Sequence, residues 1–143
     1  MIYQISETSE MKKHLKLLLP ALCCLLVTGC AVRTGILVEV EGLENPLFGE
    51  AVATLASGDF SAAAINGFSC YGTYDQYTKS AMLRVSVECN DKRKGQVIVM
   101  RTGQALQNGS GEGVLNDGTR FRVLIGDMIH YRGAQGFWDK IKK

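Results

Sequence analysis

Residues 30–143 of this chain read as an all-β domain, a small antiparallel β-barrel or sandwich of about eight strands. Three observations predict it. Apolar and polar residues alternate with a period of two, most cleanly over residues 81–89. Turn signals, with Asn66-Gly67 and Asp117-Gly118 the strongest, recur at roughly ten-residue intervals. Helical periodicity is scarce in residues 30–133.

The elements are taken in order. Lys12, Lys13, His14 and Lys16 form a basic flank, and residues 17–27 form an apolar run. That run matches the ~7–15 residues of a secretory h-region and falls short of the ~20 that span a bilayer. Glu7 and Glu10 suit no n-region, so Met11 is favoured as the start, with residues 1–10 as a tolerated extension the alternative. The run closes on Val27-Thr28-Gly29-Cys30, which resembles the bacterial lipobox. The resemblance implies a signal peptide over residues 1–29 and diacylglycerol and acyl chains on Cys30. Cell-envelope localisation follows, with the protein attached to the membrane through that lipid. No Asp follows Cys30, and in enteric-type lipoproteins this implies the outer membrane, facing the periplasm. Cys23 and Cys24 lie within the run and act as small apolar residues.

Residues 34–42 alternate, with Ile36, Val38 and Val40 on one face, and residues 43–46 turn at Asn45-Pro46. Residues 50–56 and 60–65 are expected as strands around a turn at Ser57-Gly58-Asp59. Asn66-Gly67 then signals a hairpin, because both residues tolerate positive φ. Residues 68–74 make the next strand and residues 75–80 a polar connection. Over residues 81–89, Ala81, Leu83, Val85, Val87 and Cys89 face in. Residues 90–95 turn and residues 96–101 return. Residues 103–110 read as a flexible loop. Strands over residues 112–115 and 119–125 flank Asn116-Asp117-Gly118, and residues 128–131 are expected as a last short strand.

In the tail, residues 134–143, Phe137, Trp138 and Ile141 sit at helical spacing among lysines. A helical turn plugging one end of the β-domain is favoured over a basic-aromatic helix for a membrane surface or a partner.

Composition narrows function by exclusion. Of the 16 Lys+Arg and 14 Asp+Glu, residues 30–143 keep 13 and 12, and the bases are dispersed, which argues against nucleic acid. Lys92-Arg93-Lys94 is the one basic knot, and it reads as a solvated turn rather than a phosphate site. With Cys30 assigned to lipid, Cys70 and Cys89 remain. An even pair in an exported domain reads as a disulfide, ahead of free thiols or a metal site.

Catalytic signals are weak. Residues 109–113 are glycine-rich but lack the strand–loop–helix context of a phosphate cradle, so bulges or tight turns explain them better. His130 is the only imidazole in residues 30–143, which leaves no Ser-His-Asp set. Asp75, Asp91 and Asp117 sit in turns, without calcium-loop spacing. No cofactor and no metal are expected, and the chain is read as non-enzymatic. Tyr71, Tyr74, Tyr77 and Trp138 are the candidates for a partner surface, with packing the plainer role for the tyrosines.

Cys70-Tyr71-Gly72-Thr73-Tyr74-Asp75, Cys89-Asn90-Asp91 and residues 111–118 together resemble segments of small uncharacterised proteobacterial lipoproteins. Those carry a C-x-G-x-Y-D motif, a second cysteine before a D-G-R turn, and a G-x-G-x-L-x-D-G hairpin. Lys92 stands here where that turn has glycine. The resemblance implies the disulfide and the β-fold, and no activity. In size, anchor and fold class the chain is also similar to membrane-bound periplasmic lysozyme inhibitors, without their Ser/Tyr-bearing inhibitory segments. The expected function is a structural or accessory role at the outer membrane. The alternative is a periplasmic binding or inhibitor module for a protein partner such as a cell-wall hydrolase.

Overall fold

In the computed structural model, which describes residues 29–132, the alternating stretches form eight antiparallel strands. They are β1 (Val32–Val40), β2 (Leu47–Ala53), β3 (Gly58–Ala63), β4 (Ser69–Tyr74), β5 (Met82–Cys89), β6 (Lys94–Thr102), β7 (Asn108–Leu115) and β8 (Arg120–Ile125). Each strand pairs with the next and β1 pairs with β8, so the sheet closes into a barrel in sequence order. Closure leaves no strand edge unpaired. The expected signal peptide over residues 1–29 lies almost wholly outside the described residues, as does the 134–143 tail with Trp138.

Alternation decides which side chains enter the lumen. Ile36, Val38 and Val40 of β1, Leu83, Val85, Val87 and Cys89 of β5, Val97 and Val99 of β6, and Phe121 and Val123 of β8 all point inward and are buried. The outer face carries Arg33, Glu50, Arg84, Gln96, Glu112 and Arg122. Exposed apolar residues, among them Phe48, Met82, Met100 and Val114, share that outer face.

Several boundaries differ from expectation, each for a local reason. β2 starts at Leu47 and its turn with β3 falls at residues 54–57. There Thr54 Oγ1 accepts hydrogen bonds from the Ala56 and Ser57 amides, so a threonine side chain supplies the turn. At Asn66-Gly67 only Gly67 takes positive φ, at 88°. Its amide donates to the Ala64 carbonyl while Asn66 Oδ1 accepts from the Phe68 amide. This is a turn followed by a left-handed bulge residue. β7 starts at Asn108 rather than 112, so the glycine-rich stretch is strand. The expected strand at 128–131 is instead part of a 3-10 helix, Gly126–Tyr131. Asn108 holds its start, Oδ1 accepting from the Asp127 amide at 3.0 Å. The helix packs against β1, β7 and β8 on the outer face, where Ile129 lies beside Gly35.

Candidate functional site: the barrel lumen

The lumen is not filled. Many inward positions carry small residues: Thr34, Ala51, Ala53, Ala62, Gly72, Gly109, Gly111 and Gly113. An eight-stranded barrel is just wide enough to be packed by large side chains or to hold one small ligand. Here small residues leave a cavity of about 360 Å³ that runs from Val40 and Phe121 to Arg101 and Gln107.

The glycines also allow the sheet to coil tightly. A Cβ on Gly72 would lie 1.8 Å from the Ser86 carbonyl oxygen and 2.5 Å from the Phe60 ring. Phe60 is the cross-strand partner of Gly72, and Phe121 is the partner of Gly113, with its ring over that glycine. Each aromatic ring covers the backbone that its glycine leaves bare.

The two ends of the barrel differ. At one end the turns are short and cross-braced, and Cys70 and Cys89, directly opposed on β4 and β5, form a disulfide there. Arg93 ties three turns together. Its Nε donates to Asp91 at 2.7 Å, and its Nη1 donates to Asp117 and to Thr119 Oγ1, both at 3.0 Å. Its guanidinium also lies 5.4 Å from the Phe68 ring centroid. Desolvation disfavours the Arg93 cation, but the two carboxylates outweigh it and hold its pKa above the ordinary value. Asp117 is pulled down to about 2, first by the Thr119 amide and hydroxyl and then by Arg93. The basic knot is therefore divided: Arg93 is a brace, Lys94 pairs with Glu88 at 3.1 Å, and Lys92 is a left-handed turn residue.

The other end is the mouth. The loops at residues 54–57, 75–81 and 103–107 lie here, with Ala105 and Leu106 at the lip of the cavity. Arg101 is the next inward position of β6 after Gly95, Val97 and Val99, so alternation brings a cation to the rim. Its Nη2 donates to the Thr78 carbonyl at 2.8 Å and to the Ser80 carbonyl, which pins the 75–81 loop. Its Nε is buried with no hydrogen-bond partner. Tyr74, Gln76 and Gln107 complete the polar part of the lining. Burial first, then the Asp59 carboxylate, push the Tyr74 phenol above its ordinary pKa, with Arg101 opposing them.

The three candidate tyrosines do not share a surface. Tyr71 points outward from β4 and is exposed, Tyr74 points into the mouth, and Tyr77 lies in the 75–81 loop with its hydroxyl on the Leu55 carbonyl. Cys30 is exposed and takes no part in a disulfide among the described residues. His130 sits in the 3-10 helix, away from the cavity lining. Among the described residues no three His, Cys, Asp or Glu converge as a metal site. The cavity and Arg101 were absent from the sequence-based candidates. The one available signal was a charged residue in the inward phase of an otherwise apolar strand.

Fold and site together define a disulfide-stapled, up-and-down β-barrel with an apolar lumen open at one end. Comparison of the chain with protein-family models, with curated proteins and with solved structures gave no match.

Proposed function

We propose that the protein is a non-enzymatic lipid-anchored lipoprotein of the cell envelope, held at the outer membrane by acyl chains on Cys30 and facing the periplasm. The barrel is its structural or accessory domain. The observation that carries this reading is the basic flank, apolar run and lipobox-like Val27-Thr28-Gly29-Cys30 in register. The first strand begins at Val32, two residues after the lipobox-like cysteine. Two extended residues reach at most roughly 7 Å, so a lipid on Cys30 leaves the barrel almost no leash. Three acyl chains, at about 0.8 kcal/mol per buried methylene, exceed the two signals that stable anchoring takes.

The test is Cys30→Ser in cells, followed by separation of membrane and soluble fractions and by labelling with a clickable fatty acid. The expected result is loss of label and release from membranes. A variant that stays membrane-bound, or a parent that takes no label, would overturn the anchor.

A specific feature favours a second reading, a binding or inhibitor module for a protein partner such as a cell-wall hydrolase. Met82 and Met100 are cross-strand partners, and with Ile98 they leave an exposed apolar strip on the outer face of β5 and β6. Flexible methionines are common on surfaces that adapt to partners. A single soluble protein cross-linked in cells at matching stoichiometry would support this reading.

A further inference from the structure

We propose that the lumen is a binding site for a medium-chain carboxylate, with its chain along the barrel axis and its head group at Arg101. This goes beyond the anchor and does not depend on it.

The volume sets the size of the ligand. At the ~30 Å³ that a water molecule takes in the liquid, a cavity of about 360 Å³ holds roughly a dozen non-hydrogen atoms. That volume lies at the low end of the ~300–1,000 Å³ typical of ligand pockets. The shape sets the class. The lining follows β1 from Val32 to Val40, roughly 20 Å along the axis for strands at ~3.3 Å per residue tilted by ~40°. The cavity is therefore long relative to its width, a shape that suits an extended alkyl chain. Decanoate, with ten carbons and two oxygens, matches the volume and is shorter than the lumen, so it fits within it.

The polar groups set the head. Below the rim the lining is Val, Ile, Leu, Ala, Cys and Phe with the single hydroxyl of Thr34, so nothing there satisfies a charged group. At the rim the Arg101 side chain is fixed through Nη2 by two loop carbonyls, while its buried Nε has no acceptor. A buried donor without an acceptor is costly, and a carboxylate oxygen is its strongest natural partner. The Tyr74 hydroxyl, kept protonated by burial and by Asp59, is a second donor on the same rim. A neutral alcohol fills the same lumen but forgoes the charge-assisted bond.

The test uses the full chain carrying Cys30→Ser in detergent-free buffer, titrated calorimetrically with sodium decanoate, 1-decanol and butyrate. Decanoate is expected to bind one per chain in the micromolar range, with butyrate at least about a hundredfold weaker. Arg101→Gln is expected to weaken decanoate about tenfold and 1-decanol less than about twofold. Val85→Phe, which fills the lumen, is expected to abolish both. Should that variant fail to fold, Thr34→Phe nearer the mouth makes the same test. No heat from decanoate at millimolar concentration overturns the site. Equal binding of butyrate and decanoate overturns the role of the lumen, and an unchanged decanoate affinity in Arg101→Gln overturns the role of the head group.

Discussion

Replacing both Cys70 and Cys89 with alanine removes the covalent staple while leaving the pairing of β4 with β5 to the backbone. The two cysteines are 19 residues apart in sequence, and the chain-entropy relation gives about 3 kcal/mol for a loop of that size. For a barrel of roughly 100 residues the unfolding entropy near the midpoint is ~0.21 kcal/mol/K, so the melting temperature should fall by about 15 °C. Both sulfurs face the lumen and the residues are 4% and 1% exposed, so the substitution also enlarges an existing cavity. Reduction separates the two effects, because the free thiols keep the volume and lose only the bond. The assay is thermal unfolding by circular dichroism of three samples: oxidised parent, parent reduced while unfolded and then refolded, and the double alanine variant. The reduced parent should show most of the fall and the alanine variant slightly more. A reduced parent melting within about 3 °C of the oxidised protein would refute the reasoning, since the unfolded chain would then gain little freedom on reduction.

Two further outcomes follow from the turns. Lys92 occupies the left-handed region at φ 73°, where a side chain costs roughly 1–2 kcal/mol. Set against the extra unfolded-state freedom of glycine, Lys92→Gly should gain about 0.5–1 kcal/mol, seen as a rise of a few degrees in melting temperature. A lower melting temperature would mean that the Lys92 side chain makes a compensating contact. Asp117 tests the brace at the turn end. Its pKa falls from 3.8 to about 2 on folding, so its contribution is complete above about pH 4 and is lost as pH drops through 2. Asp117→Asn should therefore melt below the parent at neutral pH, with the gap closing as pH approaches 2. A gap that stays constant with pH would assign the loss to geometry rather than charge.

The architecture was largely legible in the sequence, and the reasons differ by element. β5 was plain because it alternates Leu83, Val85, Val87 and Cys89 against Met82, Arg84, Ser86 and Glu88, and a half-buried strand needs nothing else. Asn66-Gly67 and Asp117-Gly118 marked hairpins correctly because Gly67 and Gly118 supply the positive φ. The hairpin type was less visible, since Asn66 contributes its side chain rather than a left-handed backbone. The first half of β7, residues 108–111, is not legible because Gly109 and Gly111 are poor strand formers in isolation. Their place in a strand depends on the neighbouring strands, whose backbones approach too closely for a Cβ. The last element is not legible locally because Asn108, distant in sequence, anchors the start of the 3-10 helix. The lumen was the least legible part. Valine, alanine and glycine carry no chemical signature, and an unfilled volume exists only once all eight strands have closed.

That closure has a consequence for how the barrel forms. Seven of the eight pairings join strands adjacent in the chain, and each can form from a short hairpin with little loop entropy to overcome. The eighth joins β1 to β8, where Ile36 meets Ile125 across nearly the whole domain, with the Glu39–Arg122 ion pair bridging the join. Until β8 is available, a growing chain is an open ribbon with two sticky edges and a greasy inner face, the state most prone to pairing with another copy of itself. The risk ends in one step, when the last strand of the barrel meets the first.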